Sequence, residues 1–194
     1  MKKEPLILIG GGGHCRSCVD VIETSGHFTI IGILDRIEKV GEEVFGYKII
    51  GTDNDIPILA KKYNNFLITI GQIGNGEIRT SLYNKVIESG GSLPTIISPH
   101  AYVSEHSSIG KGTILMHGVI VNANAVIGNN VIINTNALVE HDAIVCDHCH
   151  IATGTIINGE VVVGNNSFVG SGAITKQCIR IPAFSFIKAN SIIK

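Results

Sequence analysis

Charge is scarce in this sequence. Asp, Glu, Lys and Arg make up 16% of the 194 residues and cancel to a net −1, tryptophan is absent, and aromatics stand at 5%. With no basic cluster anywhere, the electrostatic footprint that a nucleic-acid binder needs is missing. Nor does any apolar run approach the roughly 18 residues of a membrane-spanning helix. Met1-Lys2-Lys3 has the charge of a signal-peptide start, but Leu6 to Ile9 is too short to serve as its hydrophobic stretch, so a cytoplasmic location is expected. Disorder is excluded as well: 44% hydrophobic content at near-zero net charge supports a packed core. The length suits one or two small domains.

Disulfides are unexpected too, so the five cysteines read as free thiols. Two CxxC pairs, Cys15/Cys18 and Cys146/Cys149, invite a zinc reading, the second with His148 and His150 beside it. The pairs lie far apart in differently patterned halves, however, and the repeat described next gives Cys149 a core position. A structural role is the better reading for both.

What the sequence has in abundance is a period of six. From Ile97 every sixth residue is aliphatic: Val103, Ile109, Leu115, Val121, Ile127 and onward through Ile133, Val139, Val145, Ile151, Ile157 and Val163 to Val169, thirteen in a row with no insertion. Thr175 breaks the series, which Ile181 and Ile187 resume. A second column, four residues on, is small or β-branched, as in Ala125, Val131, Ala137, Ala143, Cys149 and Thr155. Six is neither the helical period nor a plain alternation. It fits short strands joined by tight corners, with a large and a small residue facing inward, and Gly or Asn supplying unusual backbone angles. Stacking such coils at the usual strand separation of about 4.8 Å gives a parallel β-helix of roughly five coils.

Residues 1–95 follow another grammar. Short strands at Leu6–Ile9, Phe28–Leu34, Ile49–Ile50 and Phe66–Ile70 alternate with helical stretches at 15–24 and 56–63 and with a helix carrying Ile78, Leu82, Val86 and Ile87 on one face. Strand–helix alternation predicts a small parallel α/β sheet. The first strand runs into Gly10-Gly11-Gly12-Gly13-His14, where converging backbone N–H groups suit a phosphate. Cys15 stands where the dinucleotide fingerprint needs its last glycine, so one nucleotide and a purely structural turn both remain open. Asp35, at the end of the second strand, is placed for a ribose.

Six of the eight histidines lie in the repeat half. His141 falls third in its hexad, outside the core columns, between Glu140 and Asp142. A neighbouring carboxylate raises the basicity of an imidazole and fixes its tautomer, as a general base requires; a solvated surface histidine is the plain alternative. Asn134 suits either an acceptor contact or a corner asparagine stacked on its neighbours.

Gly10–His14, Asp35, Ile70-Gly71, the stretch Ile133-Asn-Thr-Asn-Ala-Leu-Val-Glu-His-Asp, and the hexads through Val169-Gly170-Ser171-Gly172 together resemble the PglD/NeuD family of bacterial sugar acyltransferases over essentially the whole chain. The resemblance implies a Rossmann-like nucleotide-sugar-binding domain at 1–95 and a left-handed β-helix acetyltransferase domain at 96–194. It implies acetyl-CoA as co-substrate with no metal, and a homotrimer whose active sites lie between protomers. By the same resemblance His141 is the catalytic base and Asp142 its acidic neighbour. Gly12, Gly13, His14, Asp35, Arg36 and Gly71 face the nucleotide sugar. His150, Gly159 and Ser171 line the acetyl-CoA cleft. Arg36 departs from the family pattern of two acids at this strand end, and Ile181-Pro182 to Lys194 departs from its usual Gly-Asn-Pro-Ala ending.

The His-Asp pair resembles the His-Glu of the branch that acetylates the 4-amino group of a UDP-linked amino-deoxy sugar in surface-glycan or glycoprotein biosynthesis. The NeuD branch, which acetylates a hydroxyl of sialic acid, often has His-Gly. Two rivals come from other classes. One is a γ-type zinc carbonic anhydrase, to which His117 and His141, in the same hexad position four hexads apart, give some support. The other is a non-catalytic nucleotide-sugar binding protein.

Overall fold

The computed structural model describes residues 3–74 and 76–194. The chain divides into two compact units. The first runs through Gly71 and resumes at Arg79–Pro94; the second comprises Gln72–Ile78 and Thr95–Lys194. The segment Gln72–Ile78 thus leaves the sequence neighbours with which the reading at 1–95 grouped it.

The first unit is built on β1 (Glu4–Ile9), β2 (Phe28–Leu34), β3 (Glu43–Val44), β4 (Tyr47–Gly51) and β5 (Asn65–Ile68), in the sheet order β3-β4-β2-β1-β5. All pairings are parallel except the β3–β4 hairpin at the edge. Every residue of β5 and the last four of β1 are buried, as expected of strands covered on both faces. Helices α1 (Gly13–Ser25), α2 (Ile56–Ala60) and α3 (Glu77–Glu88) supply the covering layers. Ile7, Ile9, Leu34, Phe66, Leu82 and Val86 pack in one cluster.

Helix α2 ends at Ala60, earlier than its pattern suggests, and the inward face of α3 differs from expectation. Leu82 and Val86 are buried, but Ile78 is 65% exposed and Ile87 also faces out, while Arg79 takes the inward place. Its guanidinium donates from Nη1 to the carbonyls of Ile70, at 2.8 Å, and of Ile68, at 3.5 Å, just past the end of β5 and within it. A buried cation is tolerated where backbone oxygens receive it. Burial pulls its pKa down to about 10, so it remains charged at neutral pH.

The second unit is a parallel β-helix. Two-residue strands from Ile96–Ile97 to Ile192–Ile193 form three sheets of six, six and five strands. The first face begins at Ile96–Ile97, the second at Tyr102–Val103 and the third at Ser108–Ile109. Coils stack in register, Ile120 on Leu138 and Val121 on Val139. The two inward columns close the interior, with Ile133, Ala137, Val139, Ala143, Val145 and Cys149 all fully buried. Corners are turned by residues with positive φ: Gly118, Asn124, Asn130, Asn136 and Asp142 in succession. Asn and Asp tolerate this region better than other side chains, because their short polar groups bond locally.

Candidate active site

In the first unit, the loop after β1 and the ends of β2 and β5 lie at the carboxyl ends of adjacent parallel strands, where open α/β sheets take their ligands. Gly10 sits at φ +105°, and a Cβ there would collide with the Ile70 side chain, so only glycine lets the loop leave β1 this closely. Gly12 and Gly13 open α1 with nothing crowding their Cα atoms. His14 follows on the first turn beside Gly71, where a Cβ would lie 3.4 Å from that of His14. The loop therefore brings Gly12, Gly13, His14 and Gly71 together.

Asp35 faces inward to the same loop. Its Oδ2 accepts from the Gly11 N–H at 2.7 Å and from Lys39 Nζ at 3.2 Å, while Oδ1 accepts from the Arg36 N–H at 2.7 Å. Burial alone pushes this carboxyl up, but the N–H groups of Arg36 and Gly11, with Lys39, more than offset it and hold it below the usual range. Its first task in this structure is to brace the glycine loop. The Arg36 side chain is exposed and only grazes Asp35, with Nε 4.0 Å from Oδ1.

In the β-helix, His141 and Asp142 occupy the corner between the second and third faces, after the strand Leu138–Val139. His141 Nδ1 lies 2.8 Å from Asp142 Oδ2. A carboxylate only accepts, so Nδ1 carries the proton and Nε2 presents its lone pair outward from a side chain 59% exposed. The hydrogen bond to Asp142 raises the pKa of His141, supported by the nearby charges of Asp142, Glu140 and Glu160. One coil back, Asn124 Nδ2 donates to Asp142 Oδ1 at 2.6 Å, which, together with His141, holds that carboxyl low. Asn122 Nδ2 binds Glu140 Oε2 at 2.8 Å, and the same oxygen accepts from the His141 N–H at 3.2 Å. Glu140 thus holds the backbone of His141, and Asp142 holds its ring. One coil on, Gly159 lies beneath the imidazole: a Cβ there would sit 2.9 Å from Cε1 and 3.0 Å from Nε2.

A second polar cluster lies on the first face and the corner that follows it. His150 projects outward from the strand His150–Ile151, paired with Ile132 on one side and Phe168 on the other. It is 6% exposed, edge-on to Phe168, which stacks on Phe186. Its Nδ1 is 2.6 Å from the Gln72 carbonyl, which can only accept, so Nδ1 is protonated and Nε2 accepts from Asn134 Nδ2 at 3.3 Å. Asn134 Oδ1 accepts in turn from the Thr135 N–H at 2.8 Å. Ser171 is exposed on this same corner, two coils beyond Thr135. The three residues expected around acetyl-CoA therefore divide: His150 and Ser171 stand with Asn134 at one corner, Gly159 with His141 at another.

Sequence reasoning missed Asn122, Asn124 and Gln72. The first two stand one coil, 18 residues, before Glu140 and Asp142, and that spacing is the signal that would have found them. Gln72 has no such signal; its buried side-chain amide makes no hydrogen bond among the described residues. Three of the five cysteines behave as core: Cys15, Cys18 and Cys149 are buried free thiols, with burial pushing Cys149 up to about 12, whereas Cys146 is half-buried and Cys178 exposed. Four hexads is not a whole number of three-hexad coils, so His117 falls at the corner after the first face, away from His141. Among the described residues no three His, Cys, Asp or Glu side chains converge as metal ligands.

The PglD N-terminal domain family matches residues 5–86. Among solved structures, PerB from Caulobacter crescentus, in complex with CoA and GDP-perosamine, is 31% identical with a TM-score of 0.90, over 98% of this chain and 88% of that one. A variant of perosamine N-acetyltransferase from the same organism, with one histidine replaced by asparagine and the same two ligands bound, is 30% identical with a TM-score of 0.92, over 98% and 88% of the two chains. The acetyltransferase domain of PglB from Neisseria gonorrhoeae is 28% identical with a TM-score of 0.92, over 99% of this chain and 92% of that one. No curated protein matches the sequence significantly. The full-length likeness makes the coil a left-handed hexapeptide-repeat β-helix behind a Rossmann-like α/β domain. With both parts accounted for in one order, the chain belongs to the PglD/NeuD-like family of hexapeptide-repeat, acetyl-CoA-dependent acetyltransferases.

Proposed function

We propose that this protein transfers the acetyl group of acetyl-CoA to the 4-amino group of a nucleotide-linked amino-deoxy sugar, with His141 as general base. The observation that carries the reading is the His141–Asp142 pair, which leaves a basic Nε2 facing outward from a rigid corner. The acceptor amine attacks the thioester carbonyl while Nε2 takes its proton. The tetrahedral intermediate then collapses, the C–S bond breaks, and CoA leaves with a proton returned from His141. Asp142 and Asn124 keep the imidazole in the tautomer this requires. Asn134, oriented by His150, presents a side-chain amide to the acceptor. The glycine loop with Gly12, Gly13 and His14, together with Gly71, holds the nucleotide sugar; Asp35 and Arg36 flank it. The α1 N-terminus suits the diphosphate, because its first N–H groups have no helical partners.

His141 and Asn134 lie at the two ends of the strand Leu138–Val139, on different corners of one prism. One copy of the chain therefore presents two half-sites. A homotrimer that sets the His141 corner of one protomer against the Asn134 corner of the next would complete each site, with His150, Gly159 and Ser171 along the acetyl-CoA cleft. The sequence pointed to a UDP-linked acceptor, whereas the PerB complexes hold GDP-perosamine. The nucleotide is accordingly a variable of the test.

The test is CoA release from acetyl-CoA with UDP- and GDP-linked 4-amino-4,6-dideoxy sugars, comparing the wild type with His141→Ala. Acceptor-dependent release that falls at least about a hundredfold in the variant is expected. Release that survives the mutation overturns His141 as base. Release only with a sialic acid acceptor replaces N-acetylation by O-acetylation.

A further inference from the structure

We infer that a single exchanged rung of the β-helix, between Asn158 and Thr175, positions His141 by setting the height of Gly159 beneath it. The inference rests on the reading of His141 as base and adds the device that seats its ring.

At the first residue of each corner, the backbone N–H donates to the inward-facing residue of the next coil. Asn122 does so to the Val139 carbonyl, Glu140 to Ile157, Cys146 to Val163, Ala152 to Val169, Gly164 to Ile181 and Lys176 to Ile193. Asn158 breaks the rule. Its N–H donates at 2.9 Å to the hydroxyl Oγ1 of Thr175, and its side-chain Nδ2 donates to the Thr175 carbonyl thus freed. The register of the two strands accordingly pairs Ile156 with Ile174 and stops there. Thr175 is the one residue that interrupts the aliphatic column before Ile181, and it is 1% exposed. A hydroxyl there forfeits apolar packing unless it is bonded, and its bond is to the corner that carries Gly159.

Gly159 is glycine for space. Its φ is not in the left-handed region, unlike Gly154 and Gly172 at other corners. An added Cβ would, however, sit 2.9, 3.0 and 3.5 Å from Cε1, Nε2 and Nδ1 of His141, the first two nearer than the 3.5–4.0 Å at which non-bonded atoms rest. The imidazole thus lies on the Gly159 backbone, which the Cys178 N–H holds from the far side through the Gly159 carbonyl at 2.9 Å. Asp142 tethers one ring atom; the Gly159 seat limits the swing of the rest. Exchanging the rung sets where Asn158, and with it Gly159, sits against the ring. Asn158, Gly159 and Thr175 are positioning residues, acting through His141.

Thr175→Val separates positioning from packing, because it completes the aliphatic column, keeps the β-branched shape and removes only the acceptor. The melting temperature should hold within a few degrees, because the Asn158 N–H can turn to the Thr175 carbonyl as its counterparts do at other corners. The kcat should fall about tenfold or more at little-changed KM for either substrate, as misplacement of a reacting group demands. The titration of the His141 Cε1–H, identified by NMR through its loss in His141→Ala, should move down as the ring loosens from Asp142, with Glu140 and Glu160 unchanged around it. Thr175→Ser should restore both. Gly159→Ala should move kcat and titration in the same direction and further. A Thr175→Val enzyme with wild-type kcat and wild-type His141 titration overturns the inference. If Thr175→Val does not fold, Asn158→Ala takes its place, because it removes the side-chain half of the exchange: lowered kcat and titration support the inference, and wild-type values overturn it. Should the wild type acetylate no acceptor, the functional reading fails while the NMR titration still decides the positioning.

Discussion

The glycine loop contains two residues that alanine should separate cleanly. At Gly10, alanine meets two penalties: a φ of +105° and a Cβ driven into Ile70. Strained backbone of this kind costs about 1–3 kcal/mol and overpacking a similar amount. The sum is at least about 2 kcal/mol, and each kcal/mol moves the melting point of a domain this size by about 4–8 °C. Gly10→Ala should therefore lower the first thermal transition by about 8 °C or more. Gly12 has φ −82° and ψ −165°, ordinary for any residue, and nothing lies within 4 Å of a Cβ there. Alanine is a poorer N-cap than glycine, but it also restricts the unfolded chain, and the two effects, each below about 1 kcal/mol, oppose one another. Gly12→Ala should melt within about 4 °C of the wild type. Its methyl would nonetheless stand at the mouth of the α1 N-terminus, where the diphosphate is proposed to bind. The KM for the nucleotide sugar should rise about tenfold with that for acetyl-CoA unchanged. The assays are calorimetry and initial rates with each substrate varied. A Gly12→Ala enzyme with wild-type KM would refute the phosphate role and leave the loop a structural turn; a Gly10→Ala protein with a wild-type melt would refute the packing argument.

Other perturbations probe the β-helix. Asp142 raises the pKa of His141, and the base works only when neutral, so the acid limb of the kcat/KM profile should lie above the ordinary histidine value. Asp142→Asn should shift that limb to lower pH and reduce the plateau; an unmoved limb would show that another group titrates. His150→Phe would extend the Phe168–Phe186 stack while leaving the Gln72 carbonyl and Asn134 Nδ2 without their partner. A loss of about 1–3 kcal/mol in denaturant unfolding is expected, along with a higher KM for the acceptor, and neither change would be seen if the ring only packs. Replacing Asn124 with alanine should act on the same limb as Asp142→Asn but more weakly, since it removes a bond to the carboxylate and leaves the charge.

The period of six was sufficient to define the coil, because inward and outward positions repeat along the chain and need no distant partner to be recognised. It placed Val139 and Ala143 in the core and left His141 and Asp142 outside it, as observed. The alternation in the first half likewise marked β1, β2 and β5, since strands buried on both faces read as continuous apolar runs. What periodicity does not carry is the identity of neighbours across coils. With three hexads per turn, Asn124 meets Asp142 and Gly159 meets His141, whereas His117, in the same hexad position, goes to another corner. Apolar spacing put Ile78 on the buried face of α3; Arg79 took that side because the Ile68 and Ile70 carbonyls accept its guanidinium. Thr175 read as a defect in the column and proved to be the partner of Asn158. His150 owes its orientation to Gln72, 78 residues away in sequence. The sequence by itself determined which residues turn inward, a matter of local chemistry and period. Only the tertiary structure decided which distant polar atoms meet, because the bonds of Asn124, Asn158, His150 and Arg79 join segments that only the fold brings together.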